Sequence, residues 1–189
     1  AAYTYDWSPG GSTSNPLIGA DIGTHTLIIT NANNCKDTFD VVMTQPDVLA
    51  VNIQEQSSFG ENALHVNYNI SCFGENDGAI TAVSTGGIQP LSYNWTDASA
   101  VTVSTSEDAT QLTSGQYIVT VTDANGCTED DTIILIEPDE LMINGVESGD
   151  ISPYGYDIIC KGDADGAIFA YPSGGYLENN HTYTYVWTG

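Results

Sequence analysis

Any reaction chemistry in this sequence would depend on its cysteines, histidines and serines. None of the cysteines has the CxxC spacing of a thiolate metal site; they are Cys35, Cys72, Cys127 and Cys160. The histidines are scattered along the chain as well: His25, His65 and His181. No serine lies in a GxSxG elbow. We therefore expect a protein that is not an enzyme.

Carboxylates are far more numerous than cysteines and histidines. There are 25 acidic residues against 2 basic ones, for a net charge of −23. That charge repels phosphate backbones and anionic lipid, which argues against binding to nucleic acid or to a membrane surface, but it can attract divalent cations. The segment DADG (163–166) resembles the middle of an EF-hand loop. Its register would place Lys161 and Pro172 at ligand positions, so an EF-hand is excluded.

The elements that would position these residues are β-strands. Apolar residues alternate with a period of two, and no run of ten or more shows a helical period. The segments 64–72 and AVTVSTS (100–106) read as strands, and Asn125-Gly126 predicts a tight hairpin turn. About seven strands fit between Pro46 and Pro138, which predicts an all-β, immunoglobulin-like sandwich.

Landmark residues recur at two distances. Trp7, Trp95 and Trp187 are separated by 88 and 92 residues. The same distances separate Cys72 from Cys160 (88), Cys35 from Cys127 (92) and Pro46 from Pro138 (92). Such agreement predicts tandem modules of about 90 residues.

The repeat divides the sequence into three parts. Residues 1–46 are predicted to be the C-terminal part of one repeat, 47–138 a complete repeat, and 139–189 the N-terminal part of a third. Half a sandwich cannot bury its own core, so the outer parts need further segments, and we expect the natural object to be a longer filament. Any export signal or anchor would lie outside the given sequence.

The middle repeat resembles the SprB-type repeat. The residues that carry the resemblance are Cys72-Phe73-Gly74, Asp77-Gly78-Ala79-Ile80, Gly86-Gly87, Tyr93-Asn94-Trp95, Leu112, Gly115-Gln116-Tyr117, Val121 to Cys127 and Pro138. That family builds very large gliding-motility and surface adhesins of Bacteroidota. A weaker similarity, to polycystic-kidney-disease-type domains, rests on YxYxW followed by GxYxVxVTDxxG. These domains are also β-sandwiches in secreted proteins.

The resemblance implies a structural, non-catalytic segment of a long, secreted cell-surface adhesin filament. Expected partners are neighbouring repeats and a surface or glycan ligand, without insertion into the membrane. Regular cysteines suit the oxidising extracellular space. The alternative is a carbohydrate-binding or spacer module of a secreted polysaccharide-degrading enzyme.

Two hypotheses concern the cysteines. Counting strands up and down places Cys72 and Cys127 at the same end of the sandwich, where a disulfide would stabilise by roughly 3–4 kcal/mol. Cys35 and Cys160 would then pair outside the sequence. The alternative is a bridge between modules, which follows if 64–72 is not a separate strand.

A calcium site is a further candidate, and no other cofactor is expected. The intramodule bridge would gather five carboxylates: Glu75, Asp77, Asp123, Glu129 and Asp130. Another set lies at the module junction: Glu137, Asp139 and Glu140. The competing interpretation is that these residues shape turns.

Aromatic residues are expected to be structural. Trp7, Trp95 and Trp187 are predicted core residues, although a tryptophan beside Tyr93 could also stack on sugars. Tyr117, which follows a glycine at the start of its strand, is predicted to be a corner tyrosine. His25 stands where the first repeat should have that tyrosine.

Overall fold

A computed structural model describes residues 3–60, 67–149, 157–175 and 183–188. These ranges contain strands and loops but no helix, which confirms the predicted all-β class. Within them, no helix is long and apolar enough to cross a membrane. The chain forms two compact units, residues 1–48 and 49–189.

The first unit is built on a three-stranded antiparallel sheet. Its strands are β1 (Tyr3–Ser8), β2 (Gly23–Asn31) and β3 (Lys36–Met43), in the spatial order β1-β2-β3. The sheet leaves large apolar side chains in solvent, among them Phe39 at 68% and Val42 at 66% exposure. It therefore resembles one layer of a sandwich.

The second unit contains a β-sandwich of seven strands. One sheet has the order β10-β9-β6-β7 and the other β4-β5-β8. Their bounds are β4 (Ala50–Glu55), β5 (Gly78–Thr85), β6 (Ser92–Asp97), β7 (Thr102–Ser104), β8 (Asp108–Leu112), β9 (Gly115–Thr122) and β10 (Thr128–Leu135). This two-sheet arrangement agrees with the predicted sandwich.

The core of the sandwich lies between these two sheets. Ile80 of one sheet and Trp95, Val119 and Val121 of the other are completely buried. Every member of the buried cluster belongs to residues 49–135. The middle repeat thus closes a hydrophobic core with its own side chains.

Two strand predictions were wrong. Residues 68–72 contain no strand, while Leu64 and Val66 lie outside the described residues. Instead, the backbone N–H groups of Asn69 and Ile70 donate to the Ile136 carbonyl at 2.9 and 3.2 Å. This segment closes the end of the sandwich, where Ile70 is completely buried.

The predicted strand AVTVSTS (100–106) is also shorter than expected. It ends at Ser104, and the chain crosses to the other sheet, where the unpredicted β8 pairs with β5. Hydrogen bonds hold this crossover: the Trp95 indole N–H donates to the Ser106 carbonyl at 3.1 Å, and the Ser104 hydroxyl donates to the Asp108 carbonyl at 2.8 Å.

After Pro138 the second unit continues with β11 (Met142–Gly149) and β12 (Ala167–Ser173), which form an antiparallel pair. Their apolar side chains are largely exposed, including Ile143 at 68% and Phe169 at 52%. Among the residues that the structure describes, the pair resembles β4 and β5 without a covering sheet.

Strand pairing repeats with the sequence offsets of 88 and 92 residues. Ala50 lies opposite Thr85 in the β4–β5 pair, and Met142 lies opposite Ser173 in the β11–β12 pair. Likewise, Trp95 lies opposite Val119, and Trp7 lies opposite Leu27. The β1–β2 pair therefore keeps the register of β6–β9. The β11–β12 pair keeps that of β4–β5 at Met142 and Ile143, after which a bulge shifts its pairing by one residue.

A corner hydrogen bond recurs at the same offset. The Tyr117 hydroxyl donates to the Thr113 carbonyl at 3.0 Å, which is the geometry of a tyrosine corner. In the first unit, His25 Nε2 lies 2.8 Å from the Asp21 carbonyl, also four residues upstream. The His25 imidazole thus takes the place of the Tyr117 phenol, and each side chain contacts a carbonyl four residues upstream.

We expect Tyr117→Phe to lower the unfolding free energy of the middle repeat by about 0.5–1.5 kcal/mol, because it removes the hydrogen bonds of the hydroxyl with Thr113 without changing the packed ring. Urea unfolding followed by circular dichroism measures this. Tyr93→Phe is the control, since within the described residues the Tyr93 hydroxyl has no hydrogen-bond partner. Equal losses in the two variants would contradict the corner role.

Candidate functional site

Asp123 organises the turn between β9 and β10. Its carboxylate is 7% exposed and accepts three backbone N–H groups: Oδ1 from Asn125 and Cys127, both at 2.9 Å, and Oδ2 from Ile88 at 3.0 Å. These bonds, the Ile88 bond most of all, hold the pKa of Asp123 below its ordinary value. The carboxylate therefore joins the turn to the β5–β6 loop.

The corresponding turn of the first unit uses an amide instead. Asn31 Oδ1 accepts the N–H groups of Asn33 at 2.9 Å and Cys35 at 3.0 Å. Because a neutral side chain can hold this turn, its construction does not require a charge. The acid at Asp123 adds the bond from Ile88, which an amide nitrogen cannot accept.

The pH dependence of stability should reveal Asp123. Its folded pKa lies below the unfolded value, so its contribution is complete above the unfolded pKa and is lost as the pH falls through the folded pKa. We expect Asp123→Asn to be less stable than the wild type at pH 7. The difference should shrink below about pH 4.

Thermal unfolding of both proteins from pH 7 to pH 2 checks this expectation. Asp123→Ala, which removes every acceptor, should be less stable than Asp123→Asn at pH 7. A difference between wild type and Asp123→Asn that does not change with pH would contradict the assigned role of the charge.

A second acidic turn lies at the opposite end of the sandwich. Asp77 Oδ1 accepts the Ser71 N–H at 3.1 Å, and hydrogen bonding from Ser71, chiefly its side chain, lowers the Asp77 pKa. Nearby, the Gly74 N–H donates to Glu137 Oε2 at 2.7 Å. The Asp77 bond recurs 88 residues later, where Asp165 Oδ1 accepts from Ile159 at 3.3 Å. These carboxylates thus bind backbone N–H groups in turns.

The predicted calcium ligands are not brought together. Glu75 and Asp77 belong to the loop beside Glu137, beyond the end of β10, whereas Asp123 lies before its start. A strand rises about 3.3 Å per residue, so roughly 25 Å separates the two groups. In the described ranges, no three His, Cys, Asp or Glu side chains are placed to hold a metal ion, and this includes the junction acids. His65 and His181 lie outside those ranges.

Calcium and magnesium should therefore have equal effects. The acidic side chains, which give a net charge of −23, repel one another in the folded state. Either cation should therefore raise the melting temperature by screening this repulsion. Melting curves in the two chloride salts at matched ionic strength measure this. A larger rise in calcium, reversed by EDTA, would contradict the expectation and indicate a specific site.

The structure contains no disulfide: all four cysteines are free and exposed. Cys72 lies near Glu137, and Cys127 lies near Asp123, so the length of β10 separates them. A disulfide requires Cα atoms about 4.4–6.8 Å apart. The structure therefore does not support the intramodule bridge. The physical reason is that 68–72 closes the sandwich end instead of forming the strand on which the bridge depended.

The predicted aromatic positions differ in burial. Trp95 is completely buried and Tyr117 is 5% exposed, whereas Trp187 is 57% exposed. Trp7 is half-buried, and its indole N–H donates to the Ser14 carbonyl at 3.1 Å. Because the Trp95 ring has no exposed face, it cannot stack on a sugar.

One concave region lies where the middle repeat meets the segment after Pro138. We call it the junction cavity, and its walls are Ser71, Cys72, Phe73, Asp139, Glu140, Leu141, Gly175 and Tyr183. It combines a thiol, two carboxylates and apolar side chains, and its residues come from two successive segments of the repeat pattern. No motif in the sequence predicted this cavity.

Comparison with protein families identifies the segment at the centre of this fold. Residues 68–100 match the family model for the SprB repeat. This segment is similar to the SprB repeat. The match confirms the predicted resemblance, and it spans the Cys72 loop, β5 and β6 with the buried Trp95. A search of curated proteins gave no match.

Sequence reasoning missed two polar residues that hold the sandwich together. Asp131 Oδ2 accepts the Ile53 N–H at 2.8 Å and so joins β10 to β4 in the other sheet. The buried Ser57 hydroxyl donates to the Asn69 carbonyl at 2.8 Å and accepts the Ala79 N–H at 3.0 Å. Both bonds join residues far apart in sequence, and no local pattern marks them.

Proposed function

We propose that this chain is a structural segment of a long, secreted adhesin displayed on the cell surface, in which SprB repeats are mechanical links and not catalysts. The single observation that carries the proposal is the recurrence of strand pairings at offsets of 88 and 92 residues, around a segment that matches the SprB repeat. Such recurrence is typical of arrays of stacked units.

The surface chemistry supports the same proposal. With 25 acids and 2 basic residues, neighbouring filaments repel one another and stay hydrated. Asp77, Asp123 and Asp131 each accept backbone N–H groups, which is a structural use of the carboxylate. An array of such links would space weak contacts along a filament, and avidity would follow from their number.

Display on intact cells tests the proposal. Antibody against the middle repeat should label unpermeabilised cells, and external protease should remove the label. Cells that lack the gene should adhere and glide less than the parent, and a plasmid copy should restore both. Label that appears only after permeabilisation would overturn the proposal. Strong binding of the purified middle repeat to a polysaccharide would instead favour a carbohydrate-binding module.

A further inference from the structure

Cys72 lies at the boundary between successive repeats. It lines the junction cavity together with Leu141 and Gly175, which belong to the segment after Pro138. The second cysteine of its own repeat, Cys127, is at the other end of β10. Cys72 therefore lies beside the start of the following repeat and far from the other cysteine of its own repeat.

The surroundings of Cys127 show which part of a repeat would face that cavity. A Cβ atom built on Gly87 would lie 3.0 Å from Leu49 Cδ1 and 3.2 Å from Asp123 Cβ. Asp123 Oδ1 in turn accepts the Cys127 N–H at 2.9 Å. Leu49, Gly87, Asp123 and Cys127 thus form one cluster, at the N-terminal end of the middle repeat.

The segment after Pro138 contains counterparts of two members of this cluster, the leucine and the glycine. Leu141 stands 92 residues after Leu49, and Gly175 stands 88 residues after Gly87. A Cβ atom built on Gly175 would lie 3.5 Å from the Leu141 side chain, so the same leucine–glycine contact is present. Both residues line the junction cavity with Cys72. In a complete following repeat, the counterpart of Cys127 would therefore lie near Leu141 and Gly175, and so near Cys72.

We infer that Cys72 forms a disulfide with the cysteine that stands in the following repeat at the position of Cys127. By the same rule, Cys127 pairs with the counterpart of Cys72 in the preceding repeat, so each repeat is bonded to both neighbours. This inference rests on the tandem organisation of the proposed function. It also accounts for four free thiols in the described structure, since no two of them are partners under this rule.

Bond formation is an oxidation and needs an electron acceptor. The two Sγ–H groups lose two protons and two electrons as the S–S bond forms, and a disulfide-bearing oxidant takes them up as two thiols. Oxidised glutathione is a sufficient reagent. Cys72 is exposed, so its thiolate is accessible to such a reagent.

The test is a tandem of two copies of residues 47–138. Asp47 of the second copy takes the place of Asp139, so the Pro-Asp junction is retained. The middle repeat is suitable because its buried cluster lies entirely within its own residues. Three variants each keep two cysteines and carry serine at the others. The first keeps Cys72 of the first copy and Cys127 of the second, the second keeps the opposite pair, and the third keeps both cysteines of the first copy.

After oxidation with glutathione at low protein concentration, free thiols are counted in denaturant and linked peptides are identified by mass. The first variant should lose both thiols, while the other two should keep theirs. If the first variant keeps its thiols, or if the third closes as readily, the inference is overturned. Digestion of the full-length protein without reductant is the independent check, and a free Cys72 there would also overturn it. Surface labelling and adhesion do not depend on these thiols, so the two proposals can fail separately.

Discussion

Replacing Trp95 with alanine should remove most of the stability of the middle repeat. The side chain is completely buried, and its indole N–H donates to the Ser106 carbonyl at the crossover between sheets. Truncating a buried tryptophan costs about 3–5 kcal/mol, against a total of about 5–15 kcal/mol for a typical domain. Urea unfolding of the 189-residue chain, followed by circular dichroism, measures the change.

Trp187→Ala is the matched control, because this tryptophan is the repeat counterpart of Trp95 and is 57% exposed. We expect it to change the unfolding midpoint little. Trp95→Phe should fall between the two, since it keeps an aromatic ring but loses the hydrogen bond to Ser106. Equal effects of the two alanine substitutions would mean that the Trp95 core does not dominate stability.

Gly78→Ala should have the second largest effect. A Cβ atom at Gly78 would lie 2.7 Å from Ile70 Cδ1, 2.9 Å from Leu135 Cδ1 and 2.9 Å from the Leu112 carbonyl oxygen. The carbonyl belongs to the strand paired with β5, so it cannot withdraw without disturbing the sheet. Overpacking of this kind costs about 1–3 kcal/mol, and the backbone contact places Gly78→Ala toward the upper end.

Gly166→Ala offers a control at the corresponding position of the motif Asp-Gly-Ala-Ile. Its nearest neighbour, Ile158 Cγ1, would lie 3.4 Å from the new methyl group, which is an ordinary contact. Thermal unfolding of both variants should show a marked drop in melting temperature for Gly78→Ala only. A drop of the same size at Gly166 would contradict the steric explanation.

Local features of this fold could be predicted from sequence where local geometry decides them. Asn125-Gly126 forms the β9–β10 turn, with Gly126 at a φ of 83°, a conformation that suits glycine. By contrast, 68–72 has the alternation of a strand, yet Ile136 takes its backbone hydrogen bonds. That partner lies more than sixty residues away, so the short-range pattern could not reveal it.

The candidate sites were harder to predict because they depend on which end of the sandwich a residue occupies. Because 64–72 was predicted to be a strand, Cys72 and Cys127 were assigned to the same end of the sandwich, whereas they lie at opposite ends. The calcium ligands were separated with them, since Asp77 accompanies the first cysteine and Asp123 the second. The corner position of Tyr117 depended only on its glycine and its strand, and its hydroxyl makes the corner hydrogen bond.

The bond from Ile53 to Asp131 has a mechanical consequence. Before the two strands begin, Leu49 lies near Asp123. After they end, Ser57 is hydrogen-bonded to Asn69, which donates to Ile136. Strands β4 and β10 therefore run side by side in the same direction. Tension on a filament pulls the start of β4 one way and the end of β10 the other. The two strands are then loaded in shear, in which their cross-links resist together instead of peeling one by one. The Asp131 carboxylate lies on this force path, and it resists sliding between the sheets.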